Sequence, residues 1–396
     1  MKIGIIREDK IPHDERVPLA PEQCRELLDS DPDLRIEVQI SPIRRYLNEE
    51  YDALGIPLVE KPQDCDVLMG VKEVPIEKLL PNNTYLFFSH TIKKQEYNKK
   101  LLQAVLEKNI RLIDYETLVN KRGSRLLGFG RFAGIVGAYN AFFAWGQRHG
   151  SFNLKRAYKC EDREEMEAQL VKVDMPNIKI ALTGRGRVAG GAIEILEKLN
   201  IKKVSPQDFL NKEFDEPVYT QLSVTDYNKR KEGEGSMSDF FKNPTMYEGN
   251  FGRFTKVADM YIACHYWDHH APIILTKEAL QASDNKLQVV ADISCDIDAP
   301  VACTIRPSTI EDPIYGYDPK TGKEVDPKEG ITVMAVDNLP CELPRDASWD
   351  FGSEFIQKVL PAFQNNDLDG ILQRATIAKN GSVTERFAYL REWLES

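Results

Sequence analysis

The chain has 396 residues, 42% hydrophobic and 29% charged, enough to bury two cores of ordinary size. Its formal charge of −10 speaks against nucleic acid as a partner, while a local basic site for a small anion stays open. The charged opening MKIGIIRE, and the lack of any run near the roughly 18 apolar residues of a membrane span, predict a cytoplasmic protein without membrane contact. Seven scattered cysteines with no CxxC pair argue against a disulfide framework or a zinc site. Oligomeric state is not legible.

Short apolar runs alternate with amphipathic ones through the first third: KIGII then PEQCRELL, EVQIS then EEYDALG, DVLMG, YLFFS then KKQEYNKKLLQAVLEKN, and RLIDY. This alternation predicts βαβ units and a mainly parallel sheet. Residues 132–149 predict one long, largely buried helix. Charged, irregular sequence follows over residues 154–177. A second strand-helix series opens with IKIALTGRGRVAGGAIEILEKL and continues with MYIACHY, LQVVADIS and ITVMAV. The polar stretch from Ser205 to Phe254, centred on NKRKEGEGSMSD, predicts a solvent-facing insertion. Residues 317–330 predict a loop. The tail from Trp349 onward predicts helices that return to the first domain. The expected class is therefore α/β: two Rossmann-like, doubly wound domains with mainly parallel sheets. A dinucleotide-binding domain of residues 136–339 is inserted in a substrate domain made of residues 1–135 and 340–396.

Gly184, Gly186 and Ala189, with Arg185, Arg187 and Val188 between them, form G-x-G-x-x-A directly after a strand-like run and before a helix-like one. The first glycine permits the turn, the second admits a pyrophosphate, and the third small residue lets helix pack on strand. The bland alternative is an ordinary βα turn. About 20 residues on, where Asp or Glu would bond a ribose 2′-hydroxyl, the sequence has Ser205 in KKVSPQD. Ser205 with Lys202 or Lys203, or Arg185 and Arg187, could accept a 2′-phosphate instead. The expected cofactor is NADP(H) or NAD(H), with a lean to NADP(H). Lys202 and Lys203 read equally well as a solvated helix end.

GVKEVP, YLFFSHTIKKQE, RLIDYE and RGSRLLGFGRFAG crowd ionisable residues onto the ends of buried-type strands, a placement suited to proton chemistry or anion binding. In HYWDHH, His265 and His269 are four apart, but the loop setting favours a place beside the cofactor, with Tyr266 in it, over a metal site. Asp292, in VADISCD, follows a strand end and lines the expected cleft or caps a helix.

At GVKEVP, FFSHTIKKQE, RLIDYETLV and RLLGFGRFAG the chain resembles the lysine-2-oxoglutarate reductase domain of aminoadipate semialdehyde synthase and, more distantly, the lysine-forming saccharopine dehydrogenase. The likeness resumes at TGRGRVAGGA, YWDHHAPIILT, VADISCDI and VDNLPCELPRDAS. The broader fold resembles alanine dehydrogenase, whose Asn-x-Pro near the nicotinamide is matched by Asn338, Leu339 and Pro340. The resemblance implies reductive condensation of lysine with 2-oxoglutarate to saccharopine, and the reverse oxidation. It implies Lys72 and His90 as the acid-base pair and Glu116 as a carboxylate beside them. Arg16, Lys93 and Arg125 match anion-binding positions, while Ile11 stands where the family has a lysine, with Lys10 beside it. Read as residues alone, a histidine suits the proton transfers of imine formation, and clustered cations suit a product with several carboxylates. The bland readings are a satisfied strand-end His90, a helix-capping Lys72, and Arg16 paired with Asp14 or Glu15. Rival functions are an alanine-dehydrogenase-like or opine-type dehydrogenase with another amine, and a non-catalytic nucleotide sensor using the charged insertion.

Overall fold

A computed structural model describes residues 1–297 and 299–396. The chain divides into two compact units, one of Met1–Phe129 with Pro344–Ser396 and one of Gly130–Leu343. Among the described residues no helix is long and apolar enough to cross a membrane.

The first unit opens with six strands: β1 (Lys2–Ile5), β2 (Arg35–Gln39), β3 (Leu58–Val59), β4 (Val67–Met69), β5 (Thr84–Phe87) and β6 (Arg111–Asp114). They pair in parallel in the order β3-β2-β1-β4-β5-β6. The chain runs outward from β1 to β3 and restarts on the other side at β4, so a topological switch lies between β1 and β4. Crevices form at the carboxyl ends of strands at such points. Burial on both faces explains the apolar runs: Tyr85 and Phe87 join one buried cluster and Leu86 the other.

The second unit contains β7 (Lys179–Thr183), β8 (Lys202–Lys203), β9 (Val218–Leu222), the small hairpin β10 (Asn228–Arg230) and β11 (Tyr247–Gly249), then β12 (Met260–Ala263), β13 (Val289–Asp292), β14 (Ile314–Asp318), β15 (Lys323–Val325) and β16 (Ile331–Met334). Its eight-stranded sheet has the order β15-β14-β16-β13-β12-β7-β9-β8, parallel except for β14 and β15. The switch here lies between β7 and β12. Late in the chain, β17 (Thr376–Lys379) and β18 (Ser382–Val383) add antiparallel to the β6 edge of the first unit.

Three expectations change. Residues 205–254 are not a solvent-facing insertion: β9 lies between β7 and β8, and Phe209, Tyr227, Phe240, Tyr247, Phe251 and Phe254 are buried in the core of the second unit. Its longest exposed run is the middle, residues 231–238. Its charges masked widely spaced aromatic anchors. The loop expected at residues 317–330 is largely the β14–β15 hairpin. The tail adds two strands as well as helices.

The long helix, Gly130–His149, packs directly on the helix Arg187–Lys198 that follows the glycine turn. A Cβ on Gly134 would stand 1.9 Å from the Val188 carbonyl oxygen, and one on Gly191 1.9 Å from that of Arg131. Small residues on each helix thus let the two backbones touch, which fixes how the glycine turn is presented.

Candidate functional site

In the first unit, the carboxyl ends of β1, β4, β5 and β6 are consecutive in the sheet, and each carries ionisable side chains. After β1 comes Glu8, 7% exposed, whose carboxylate accepts the backbone N–H groups of Val71 (2.6 Å) and Lys72 (2.8 Å) after β4. Burial, with the Asp14 charge added, pushes Glu8 up to about 8. Lys72 Nζ has no hydrogen bond or ion pair among the described residues, although its charge acts on Asp14. Next to it in sequence, Glu73 pairs with Lys10 at 2.6 Å. Arg16, 3% exposed, grips Asp14 through Nε (2.9 Å) and Nη2 (2.6 Å) and lies 4.1 Å from the Phe129 ring centre. Against the cost of burial, Arg16 holds Asp14 down at about 2.

After β5, His90 is held in the left-handed region, φ 54°, where Asn98 bonds its carbonyl at 3.2 Å. Its Nδ1 meets Glu116 Oε2 at 3.0 Å, and Lys93 Nζ lies 3.6 Å from Glu116 Oε1. Burial disfavours the Glu116 charge, but the His90 hydrogen bond and the charges of Lys93, His90 and Arg125 hold the carboxyl down at about 2. Beneath them Asp114 anchors both strand ends: it bonds Ser89 N (3.0 Å), the Ser89 hydroxyl and Glu116 N (2.7 Å), and burial pushes it up to about 6. A carboxylate on Nδ1 fixes the imidazole and leaves Nε2 for proton transfer.

The structure therefore groups His90, Glu116 and Lys93, with the Arg125 charge near, and separately gathers Lys72, Glu8, Asp14 and Arg16. Arg16 and Lys93 are engaged by carboxylates, and Arg125 Nε bonds Leu127 O at 3.1 Å. Glu8 and Asp114 carry no signal in the sequence, whereas the Arg16–Asp14 pair realises the bland reading of Arg16.

In the second unit, Gly184 has φ 102°, and a Cβ there would stand 2.4 Å from Cys264 O, so glycine is required. Gly186 faces open space and precedes the first turn of the Arg187–Lys198 helix. A cavity of about 440 Å³ opens over this turn, lined by Arg185, Arg187 and Val188, by Ser223 and by His265 and Tyr266 after β12. It offers helix N–H groups to an anion. His265 is fixed through Nδ1 to Thr183 (3.0 Å) and Tyr261 (3.3 Å); burial lowers it to about 3, so its ring is neutral, and its Nε2 has no partner among the described residues.

Ser205 does not line this cavity. It caps the Pro206–Asn211 helix through Asp208 N (3.0 Å) beyond β8, the sheet-edge strand. The strand beside β7 is β9, and the residue after its end is Ser223. Lys202 pairs with Glu216 and Lys203 with Gln221 on the exposed edge. Asp292 is fully buried and saturated by Ser294, Cys295 and Thr304, so it anchors the loop after β13. Asp268, His269 and His270 bring ligand-type atoms within 4.8 Å of one another on an exposed loop, where His270 Nδ1 already bonds Asp268 at 2.9 Å.

Asn338 leads into a short 3₁₀ turn, Leu339–Glu342, in which Leu339 and Pro340 are buried. Glu342 pins this turn to the long helix through Asn140 (2.7 Å) and pairs with Arg156 at 3.4 Å. Burial pushes Glu342 up to about 7, against the Arg156 charge. A carboxyl that holds its proton more tightly folded than unfolded stabilises fully below the ordinary 4.5, and that stability is lost as pH rises through about 7. Glu342→Gln is expected to flatten this decline by up to about 3 kcal/mol, read from urea midpoints across that window.

The two units are each of Rossmann type, one carrying an open glycine turn and the other ionisable side chains at its strand ends. Residues 4–136 match the family model described as Alanine dehydrogenase/PNT, N-terminal domain. The chain is 30% identical to the mouse (Mus musculus) mitochondrial alpha-aminoadipic semialdehyde synthase over 448 aligned positions, covering 100% of this chain and 48% of that protein. The Arabidopsis thaliana alpha-aminoadipic semialdehyde synthase is 28% identical, with 98% of this chain and 41% of that protein covered. The chain thus spans less than half the length of these relatives. The lysine-forming, NAD(+) saccharopine dehydrogenase of Schizosaccharomyces pombe is 25% identical over 90% of this chain and 91% of its own. Among solved structures an L-alanine dehydrogenase superposes with TM-score 0.66 at 14% identity, covering 100% of both chains.

Proposed function

We propose that the chain is an oxidoreductase that condenses L-lysine with 2-oxoglutarate to saccharopine at the expense of a reduced nicotinamide dinucleotide, and runs the reverse oxidation. The observation that carries this reading is the His90–Glu116 pair, at 3.0 Å, with Lys72 on the neighbouring strand end, in a chain whose relatives are named for this chemistry. The lysine ε-amine adds to the ketone carbon, water leaves to give an imine, and hydride addition to the imine carbon gives the secondary amine. The bound dinucleotide supplies that hydride. His90 moves protons through Nε2 to and from the departing hydroxyl, and Glu116 holds its ring in place. Lys72, its backbone N–H fixed by Glu8, is the second acid-base group. Arg16, Lys93 and Arg125 supply positive charge for the substrate carboxylates. The substrate domain in this reading is residues 1–135 with 340–396, the dinucleotide domain residues 136–339, and the turn at Asn338, Leu339 and Pro340 serves the nicotinamide end.

For the cofactor we favour NADP(H). Among the described residues no carboxylate lines the cavity over the glycine turn. Asp226, the nearest candidate after β9, is turned back onto Ser223 N and Oγ, both at 2.7 Å. That leaves Arg185 to meet a 2′-phosphate. The seven free cysteines suit a reducing compartment, the cytoplasm in our reading.

Oxidation of NADPH that depends on both lysine and 2-oxoglutarate, and is slower with NADH, is the expected result. Oxidation with ammonia and pyruvate instead would support the second reading, an alanine-dehydrogenase activity, which the L-alanine dehydrogenase fold motivates.

A further inference from the structure

The first unit holds a cavity of about 290 Å³ that none of the groups assigned above lines. Its floor is apolar: Leu68 and Tyr85 belong to the buried cluster on one face of the sheet and Ile6 and Leu80 pack against it, whereas Val71, which Glu8 holds, belongs to the cluster on the opposite face. Its rim carries both signs of charge. Asp9 accepts Arg7 Nε at 3.1 Å and pairs with Lys78 at 2.7 Å, so one carboxylate ties the segment after β1 to the 3₁₀ turn Ile76–Lys78. The Nη groups of Arg7 and the carboxylate of Glu77 make no hydrogen bond or ion pair among the described residues. Tyr85, 1% exposed, accepts Leu80 N at 2.9 Å and has no acceptor for its own hydroxyl proton among the described residues.

We propose that this cavity is an effector site for a free amino acid with an apolar side chain, its carboxylate on the Arg7 guanidinium, its ammonium on Glu77 and Asp9, and its hydrocarbon on Ile6, Leu68 and Leu80. Free donors and free acceptors on one rim, over an apolar floor, suit a zwitterion better than a simple anion or a simple amine, and a planar guanidinium takes a carboxylate through two parallel bonds. The volume is at the small end for ligand pockets, which fits a single amino acid. Side chains alternate along the segment after β1: Arg7 and Asp9 face the cavity, while Glu8 holds Val71 N and Lys72 N and Lys10 pairs with Glu73. A ligand carboxylate on Arg7 competes with Asp9 for the guanidinium, and a shift of residues 7–9 is passed through Glu8 to the Lys72 backbone. Occupancy therefore lowers turnover, a consequence that rests on the reaction proposed above, whereas the binding itself does not.

L-Leucine titrated into the full chain is expected to bind by calorimetry, while isocaproate, which lacks the amine, and isoamylamine, which lacks the carboxylate, bind about tenfold more weakly or worse. Arg7→Gln should weaken leucine about tenfold and Glu77→Gln, at an exposed position, about threefold; Lys72→Met should leave leucine binding unchanged. Saturating leucine should lower kcat for the lysine- and 2-oxoglutarate-dependent reaction about threefold or more in the parent, without raising KM for lysine, and have no effect on Arg7→Gln. No leucine binding, or binding unchanged in Arg7→Gln, overturns the site. Leucine that binds there with kcat unchanged, or that competes with lysine, overturns the effector role. A chain that binds leucine through Arg7 yet turns over no amine overturns the proposed reaction and leaves the site standing.

Discussion

Replacing His90 with Asn is expected to lower kcat of the proposed lysine- and 2-oxoglutarate-dependent NAD(P)H oxidation by roughly 100- to 1,000-fold, the usual worth of a positioned general acid-base group. Two features make the effect specific to the ring. The left-handed backbone at His90, φ 54°, is one that Asn also tolerates, so the turn survives the exchange. Beneath it, Asp114 still holds Ser89 and Glu116 N, which keeps both strand ends in register. Stability should therefore change little, and thermal unfolding beside the kinetics separates the two effects. Glu116→Gln keeps the shape but removes the charge that faces Nδ1, so an intermediate loss in kcat is expected. A His90→Asn chain with kcat within about threefold of the parent would remove the imidazole from the chemistry.

Gly191→Ala should be among the most destabilising single methyl additions in the second unit. The new Cβ would meet Arg131 O at 1.9 Å, Arg131 C at 2.9 Å and Ile135 N at 3.0 Å, all backbone, so no side-chain rotation relieves the clash. One of the two helices must move bodily. A cost of about 3 kcal/mol or more follows, a fall of roughly 6 °C or more in Tm for a unit of this size. Gly190→Ala, one residue away and facing open space, is the internal control. It should raise Tm slightly, because alanine is favoured over glycine in a helix interior. Equal behaviour of the two variants in a thermal scan would show that the helices do not touch as described.

What sequence revealed and what it hid divide along a physical line. The β7 strand, its glycine turn and the helix after it were legible because every constraint is local: apolar strand, φ 102° at Gly184, small residues, amphipathic helix. The neighbour of β7 was not. A spacing of about 20 residues leads to the adenosine ribose only when the next strand in sequence is the next in the sheet. Here β8, two residues long, goes to the edge and β9 comes in between, so the spacing leads to Ser205 while the sheet places Ser223 next to the glycine turn. The strand VYTQL escaped notice because its surroundings are polar and its core anchors are single aromatics far apart. Glu8 was invisible for a related reason: its partners, Val71 and Lys72, lie 63 and 64 positions away, and no periodicity within either segment points to the other.

The discontinuous make-up of the first unit has a consequence for biogenesis. β6 pairs with β17, and Arg111 reaches Thr376 across 265 positions, whereas Gly130–Leu343 is one unbroken stretch. On the ribosome the nascent polypeptide can complete the second unit while β6 still waits as a bare edge, a template for strand addition by other chains. Chaperone engagement during synthesis should accordingly concentrate on residues 84–114 and end when the returning strands emerge.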